Sequence, residues 1–205
     1  MKNVLRPAFA ALAMLVVASA AFAAPAKYAI DKTHTEVGFD VRHFFTKVHG
    51  RFNDFQATIL FDEKDPSKIS VDASAVTASI STDNEKRDGH LRSADFFDAE
   101  KYPALTFKST KVTANGKNKY KIAGDLTMRG VTKPVVFDAE FLGAGATGMG
   151  TKAGFAATAV VNRKDFGINW NKALDNGGMV LSDDVTLVIN LEANQVKEEA
   201  AASKS

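Results

Sequence analysis

Cysteine is absent from this 205-residue sequence, and tryptophan occurs only once, at Trp170. The lack of cysteine excludes disulfide bonds, thiol nucleophiles and metal sites built from thiolates. The fold must therefore be stabilised by its hydrophobic core alone, and a chain of this length can bury a core of sufficient size.

Motifs for metal binding or covalent catalysis are also lacking. The four histidines are His34, His43, His49 and His90, and their spacing matches no standard metal-binding motif. The Gly-x-Ser-x-Gly motif of many hydrolases is absent, although a catalytic triad can assemble from residues that are distant in sequence. We therefore expect no enzyme activity, no catalytic residue, no metal and no cofactor.

Residues 1–23 have the pattern of a cleavable signal peptide. Lys2 and Arg6 form a positively charged start, an alanine-rich apolar stretch follows, and Ala21-Phe22-Ala23 fits the small-residue rule for cleavage. The apolar stretch is shorter than the roughly 20 residues of a comfortable membrane span. We expect export to the periplasm and a mature chain that begins at Ala24.

An excess of charge of one sign is lacking in the mature chain. Residues 1–23 hold two of the 26 basic residues and none of the 24 acidic ones, so the remainder has a formal net charge of zero. This balance does not favour a nucleic-acid partner. Residues 197–205 lack apolar periodicity and predict a disordered tail, which leaves one domain over residues 24–196.

Apolar and polar residues alternate along most of the mature chain, a pattern typical of antiparallel strands with one buried face. The alternation predicts strands at 36–42, 55–62, 69–76, 119–129, 135–141, 153–161 and 185–192. Asn115-Gly116 predicts a tight hairpin turn, and the four glycines within 143–150 predict a flexible loop.

About eight strands joined by successive hairpins can avoid exposed edges by closing into a barrel. The predicted fold class is therefore all-β, an antiparallel eight-stranded barrel with a short helical cap. Small inward residues such as Ala57 and Gly124 are mixed with large ones such as Phe39 and Phe137. Such a mixture either fills a solid core or shapes a cavity for one ligand.

One polar segment interrupts the strands and predicts the cap. Residues 83–94 follow good helix-capping residues, and Tyr102-Pro103 ends any helix. Either the many charges of this segment face water, or its apolar residues line a mouth while some charges meet a ligand. Trp170 has two similar alternatives, since it either packs the base of the barrel or lies at the mouth.

Seven motifs carry a family resemblance and together span essentially the whole mature domain. They lie at 28–34, 37–43, 48–52, 90–103, 105–109, 124–133 and 162–168. In this order they resemble the YceI-like family of polyisoprenoid-binding, lipocalin-like periplasmic proteins. The resemblance implies a lipocalin-like barrel whose elongated apolar pocket holds a long isoprenoid chain, and it implies binding rather than catalysis.

Strand alternation and the apolar pair of the cap identify the residues expected to line this pocket. They are Phe39, Val41, Phe55, Ile59, Phe96, Phe97, Phe107, Leu126, Met128, Phe137, Phe155 and Trp170. Arg42, His43 and Arg92 are candidates for contacts with a ligand head group, and guanidinium groups match phosphate oxygens well.

The predicted function is to sequester or carry a long-chain isoprenoid lipid, either a polyprenyl phosphate or an isoprenoid quinone. Burial would drive binding, because each buried methylene contributes about 0.8 kcal/mol. Expected partners are this lipid or a quinone-like amphiphile, a membrane contacted transiently during loading, and a second copy in a homodimer. Two alternatives stay open: a lipid-modifying enzyme that uses the same cavity, and a ligand-free, stress-related barrel whose interior is filled by side chains.

Overall fold

The structure is a computed structural model that describes residues 24–174 and 178–197. The predicted signal peptide at 1–23 and residues 198–205 of the predicted tail lie outside the described residues. The strands are β1 (Ala26–Ile30), β2 (Glu36–His43), β3 (Thr46–Phe52), β4 (Phe55–Phe61), β5 (Ser70–Val76), β6 (Ile80–Ser81), β7 (Ala104–Ala114), β8 (Lys119–Met128), β9 (Val131–Thr147), β10 (Gly150–Asn162) and β11 (Leu181–Gln195). The α-helix is α1 (Glu85–Arg92). Within the described ranges, no helix has the length and apolarity needed to cross a membrane.

The eleven strand segments build a closed barrel of eight antiparallel strands. Three of the eight strands are interrupted, so that β1 with β2, β3 with β4, and β5 with β6 each form one strand. The sheet order is β1-β4-β5-β7-β8-β9-β10-β11, and pairing of β1 with β11 closes the barrel. The predicted fold class is therefore confirmed.

The three interruptions lie side by side and form a crease across the barrel wall, made of residues 31–35, 53–54 and 77–79. The ammonium of Lys32 is 3.0 Å from a carboxylate oxygen of Asp54. The backbone nitrogen of Asp54 donates to the hydroxyl of Ser79 at 3.0 Å. Contacts of side chains thus replace part of the regular backbone ladder along this line.

The helical cap follows β6 and covers the place where β6 leaves the neighbouring strand β7. β5 pairs with β7, whereas β6 pairs with β3. Nε and Nη2 of Arg92, the last residue of α1, donate to the carbonyls of Ala78 and Ile80 at 2.8 and 3.1 Å. Carbonyls that are buried or at a sheet edge need hydrogen-bond donors. Arg92 therefore fixes the cap to the barrel and also supplies donors to two carbonyls of the open edge.

Asn84 caps the start of α1, since its side chain accepts a hydrogen bond from the backbone nitrogen of Arg87 at 3.0 Å. The helix is shorter than the predicted range of 83–94. The predicted hairpin at Asn115-Gly116 is confirmed, because the nitrogen of Asn115 donates to the carbonyl of Lys119 at 2.7 Å and Gly116 has a φ of +117°.

The predicted flexible loop at 143–150 is wrong. β9 continues to Thr147 and β10 begins at Gly150, and these two residues face each other across a tight turn. Gly143 and Gly150 have φ values of +133° and +117°, which only glycine adopts easily. The glycines therefore shape a register shift and a turn within a long hairpin.

Candidate functional site

The interior of the barrel contains two adjoining cavities of about 210 Å³ each. The floor cavity lies between β2, β4, β5, β7, β8, β9, β10 and β11, and the cap cavity lies under α1 and the segment that follows it. Both walls expose almost no polar surface. An apolar space of this kind binds hydrocarbon by removing it from water.

Four side chains, Phe52, Leu105, Met128 and Leu187, line both cavities and form a waist between them. The two cavities are therefore compartments of one elongated space. A water molecule needs roughly 10–15 Å³ of cavity volume measured in this way. Since a methylene is similar in size, each compartment has room for on the order of 15 chain atoms.

All twelve residues that the sequence predicts for the pocket lie on the cavity walls. Phe55, Ile59, Phe107, Leu126, Phe137 and Phe155 line the floor cavity, Phe39, Val41, Phe96, Phe97 and Trp170 line the cap cavity, and Met128 belongs to both. Alternation found the nine that lie on strands, because inward-facing residues of a closed barrel recur at every second position; Phe96, Phe97 and Trp170 lie outside the strands. Their contact with a ligand stays a prediction.

Aromatic rings close the end of the barrel that lies opposite the cap. The ring of Phe61 is 4.6 Å from that of Phe141 and 5.1 Å from that of Phe155, measured between centroids. Tyr120 packs edge-on against Phe61 at 6.1 Å. Burial of Tyr120 raises the pKa of its hydroxyl, so this floor is apolar and uncharged at neutral pH.

The other end is closed by rings of the cap and of the segment after β10. Trp170 lies at this end, where its ring is 5.2 Å from Phe96 and 5.0 Å from His90. Phe97 packs edge-on against the waist residue Phe52 at 5.9 Å. The two phenylalanines and Trp170 therefore line the cap cavity at its outer end, and of the two alternatives for Trp170 the structure places it at the cap end.

Arg163 is a buried cation that the sequence did not single out, and it holds the Trp170 segment in place. Its side chain lines the cap cavity, and the residue is 4% exposed. Its guanidinium donates to the carbonyls of Ile168, Trp170 and Ser182 at 2.8, 2.7 and 3.0 Å. Burial lowers its pKa, and Asp183 opposes this shift. Because these N–H groups of Arg163 bind backbone carbonyls, the guanidinium holds the Trp170 segment in place and is not available to bind a charged ligand.

A second polar group, Thr82, Arg87 and Asp88, lies beside the cap cavity. Arg87 donates from Nε to the Thr82 hydroxyl at 2.7 Å and from Nη2 to the Thr82 carbonyl at 2.9 Å. The buried carboxylate of Asp88 accepts from the Thr82 nitrogen at 2.8 Å and from its hydroxyl. Satisfied polar groups of this kind rigidify the wall without exposing charge to the cavity.

The three predicted head-group residues have different surroundings. His43 lines the cap cavity. Arg42 donates to the carbonyl of Phe44 at 2.6 Å, and Arg92 binds the carbonyls of the open edge. Neither arginine is among the lining residues, and the contact of all three with a head group stays a prediction.

In the described part of the chain, Asp31, His34 and Glu192 come close enough together to hold a metal ion. The ammonium of Lys152 lies among them, 2.9 Å from Asp31 and in contact with Glu192. The hydrogen bond from Lys152 holds the pKa of Asp31 below its usual range, and the bond to Glu192 raises the pKa of Lys152. Lys152 thus supplies the positive charge that these carboxylates attract.

Comparison with known proteins adds to this geometry. A family model described as the YceI-like domain matches residues 28–193. Protein YceI of Escherichia coli O157:H7 is 42% identical over 183 residues, which cover 87% of this chain and 92% of that protein.

Solved structures share the fold. The YceI protein of Campylobacter jejuni has a TM-score of 0.65 at 37% identity, and the match covers 82% of this chain and 97% of that one. A domain from Saccharophagus degradans, described as polyisoprenoid binding and implicated in plant cell wall breakdown, has a TM-score of 0.62 at 15% identity, with coverage of 82% and 98%. By the extent of the family match and the identity to its relatives, this chain belongs to the YceI-like family.

Proposed function

We propose that this protein binds a long isoprenoid lipid in the two compartments of its barrel and carries or sequesters it in the periplasm. The observation that supports this proposal is the elongated apolar space, narrowed once at the waist, with aromatic rings packed at both ends. A polyprenyl phosphate and an isoprenoid quinone share the chain that such a space accepts. The polyisoprenoid binding described for the Saccharophagus degradans domain supports the same class of ligand.

The structure counts against the ligand-free alternative. A purely structural barrel is expected to fill its interior with side chains, because empty apolar volume costs stability. Here the small residues Ala57, Ala73, Ala139 and Ala157 leave the floor cavity open. The cost of this volume is offset when a chain fills it.

Binding without chemistry is the proposed mechanism. The polar residues that border the cap cavity include Arg87, His90 and Arg163. His90 lies 2.8 Å from Asp95, and the two arginines bind protein oxygens. We infer that the space holds a ligand by burial, while any charged head group lies outside the apolar walls, because a buried charge without a partner is costly.

Lipid extraction and native mass spectrometry of protein purified from a bacterial periplasm test this function. We expect an isoprenoid to co-purify, or one equivalent of added polyprenol, polyprenyl phosphate or isoprenoid quinone to bind. Reproducible absence of both would overturn the proposal. Size-exclusion chromatography with light scattering on the same sample tests the expected homodimer.

A pair of variants makes this experiment specific to the cavity. Ala139→Phe would fill part of the floor cavity and is expected to lower lipid occupancy by about tenfold or more, because the chain loses buried length. Val136→Phe is the matched control, since Val136 lies on the exposed outer face of the same strand. Equal occupancy in the two variants would show that lipid binds elsewhere.

A further inference from the structure

The hairpin between β2 and β3 ends in two phenylalanines. His43 and Thr46 are paired, so Phe44 and Phe45 form a two-residue loop. Phe45 is 91% exposed. Loops of this length are dominated by Gly, Asn and Asp, which accept positive φ and face water. Two large apolar residues at such a tip contradict the local rule.

The backbone at the tip is strained as well. Phe44 has a φ of +51°, a region that bulky residues rarely occupy and that is enriched at functional sites. The Phe44 nitrogen donates to the carbonyl of Val180 at 2.8 Å, and the Val180 nitrogen donates to the carbonyl of Lys172 at 3.0 Å. These bonds hold the hairpin tip against the segment that precedes β11.

An exposed apolar surface results, which we call the tip patch and define as Phe44, Phe45 and Met179. Met179 is 50% exposed beside Val180. Burial of such side chains in the interfacial region of a bilayer is favourable, and aromatic rings are enriched at that depth.

Positive charge flanks the tip patch. Arg42 and Lys172 are exposed, and within the described residues no carboxylate lies at ion-pair distance from either. The neighbouring Asp40 contacts His49 and Lys47, and Asp183 contacts Lys164 and Arg163. Asp184 is exposed near Arg42 and offsets part of this charge. The apolar side chains of the tip patch therefore supply most of the proposed attraction, and Arg42 and Lys172 complement the anionic head groups of a membrane surface.

The tip patch is also continuous with the cap cavity. His43 and Leu181 face each other across β2 and β11, and both line that cavity. His43 directly precedes Phe44. Leu181 follows Val180, which joins it to Met179 and accepts the hydrogen bond from Phe44. A membrane surface bound by the tip patch would therefore lie next to the wall of the cap cavity.

We propose that the tip patch docks the protein on an anionic lipid bilayer and that the lipid passes between this bilayer and the cap cavity. This proposal rests on the proposed function, because docking serves to load or release the lipid. Binding to the bilayer can nevertheless be measured without any bound lipid. Leu142, 63% exposed on β9, is an apolar surface residue outside the tip patch and provides a matched control.

Flotation with vesicles of phosphatidylethanolamine and phosphatidylglycerol tests docking. We expect the protein to float with these vesicles, to float less with pure phosphatidylcholine and to detach as salt is raised, because salt screens the cationic contacts. Phe45→Ser should lower partitioning by about tenfold or more, the effect of removing one large apolar side chain. Leu142→Ser should bind as the unchanged protein does.

Uptake of an isoprenoid quinone from detergent micelles separates docking from ligand binding. Phe45→Ser should load normally from micelles and slowly from vesicles. If the unchanged protein loads from neither source, the proposed function fails, while flotation still decides docking. Docking is overturned if Phe45→Ser floats like the unchanged protein, if no vesicle is bound, or if this variant changes only the oligomeric state, which would make the patch an interface between copies.

Discussion

The ammonium nitrogen of Lys152 lies 2.9 Å from a carboxylate oxygen of Asp31, and this contact joins β10 to the interruption between β1 and β2. Both side chains are 17% exposed. Lys152 also contacts Glu192 of β11, so one cation ties together three neighbouring strands at the closure of the barrel.

Removal of this cation should destabilise the protein in a pH-dependent way. In Lys152→Met, Asp31 and Glu192 are left facing each other, and we expect a lower melting temperature at pH 7. The pKa of Asp31 is depressed in the folded state, so its stabilisation is present above about pH 4, its unfolded value, and is lost as the pH falls below that. The difference between variant and unchanged protein should shrink toward pH 3.

Thermal unfolding followed by circular dichroism checks this prediction. Lys121→Met removes an exposed ion pair with Asp138 and serves as the control, for which we expect little change because such pairs contribute weakly. Equal effects of the two substitutions, or a difference that persists in acid, would contradict the role of Lys152.

Gly124 is a position where even one methyl group does not fit. A Cβ there would lie 2.5 Å from the carbonyl oxygen of Lys108 and 2.5 Å from the ring of Phe107. The ring can move, but the backbone cannot, so Gly124→Ala should cost about 1–3 kcal/mol of unfolding free energy. Urea denaturation measures it. Gly145→Ala is the control, because its Cβ meets nothing within 4 Å, and a similar loss there would count against this explanation.

The waist should limit the length of the bound chain. Leu105→Trp places a larger side chain between the two cavities, and we expect it to reduce binding of long isoprenoids much more than that of short ones. Leu105→Met keeps the volume similar and should bind both. Native mass spectrometry with a mixture of chain lengths reads out the preference. An unchanged length profile in Leu105→Trp would show that the compartments are occupied independently.

Arg163 should control the order of the Trp170 segment. Lysine has a single ammonium in place of the planar fork that serves three carbonyls, so Arg163→Lys should loosen the segment. Because Trp170 is the sole tryptophan, its fluorescence reports this change directly, and we expect a red shift and stronger quenching by iodide. Lys164→Arg, at an exposed neighbouring position, should leave the emission unaltered; a red shift there as well would point to a general change of the loop.

The strain at Phe44 predicts a conflict between stability and docking. Asparagine accepts positive φ more readily than phenylalanine, so Phe44→Asn should stabilise the protein by about 1 kcal/mol, the lower end of the cost of such strain, while weakening its binding to anionic vesicles. Phe45→Asn should weaken binding without this gain, because Phe45 does not have positive φ. Urea denaturation and flotation on the same samples check both parts. Stabilisation in both variants would indicate that replacing an exposed apolar side chain by a polar one, rather than relief of backbone strain, is responsible.

The barrel and its inward residues follow from the sequence because both depend on a local period of two. Phe55, Ile59 and Phe137 could be placed on the cavity wall from their neighbours alone. Residues 143–150 misled the prediction, because glycine has the same signature in a loop and at a register shift. The helix was found from its capping residues, although the predicted range of 83–94 extends two residues beyond the observed helix at each end.

The polar parts of the site were not predictable in the same way. The burial of Arg163 depends on carbonyls supplied by residues up to 19 positions away along the chain, and no local pattern shows them. The role of Arg92 depends on where β6 leaves the sheet. Phe44-Phe45 carried a signal that could have been read, since two phenylalanines between the alternating stretches break the rule for turn composition.

The crease gives this barrel a joint at the height of the waist, since Phe52 immediately precedes the interruption at 53–54. In a wall of continuous strands, regular backbone hydrogen bonds run along the whole length of each strand pair. At the crease, single backbone hydrogen bonds such as Asn53 to Ser79 at 3.1 Å and Val76 to Asp54 at 2.8 Å take the place of the ladder. The inward-facing positions also change parity there, from Ile30 to Val37, from Phe52 to Phe55 and from Ala75 to Ile80, so each half of these strands sets its own pleat.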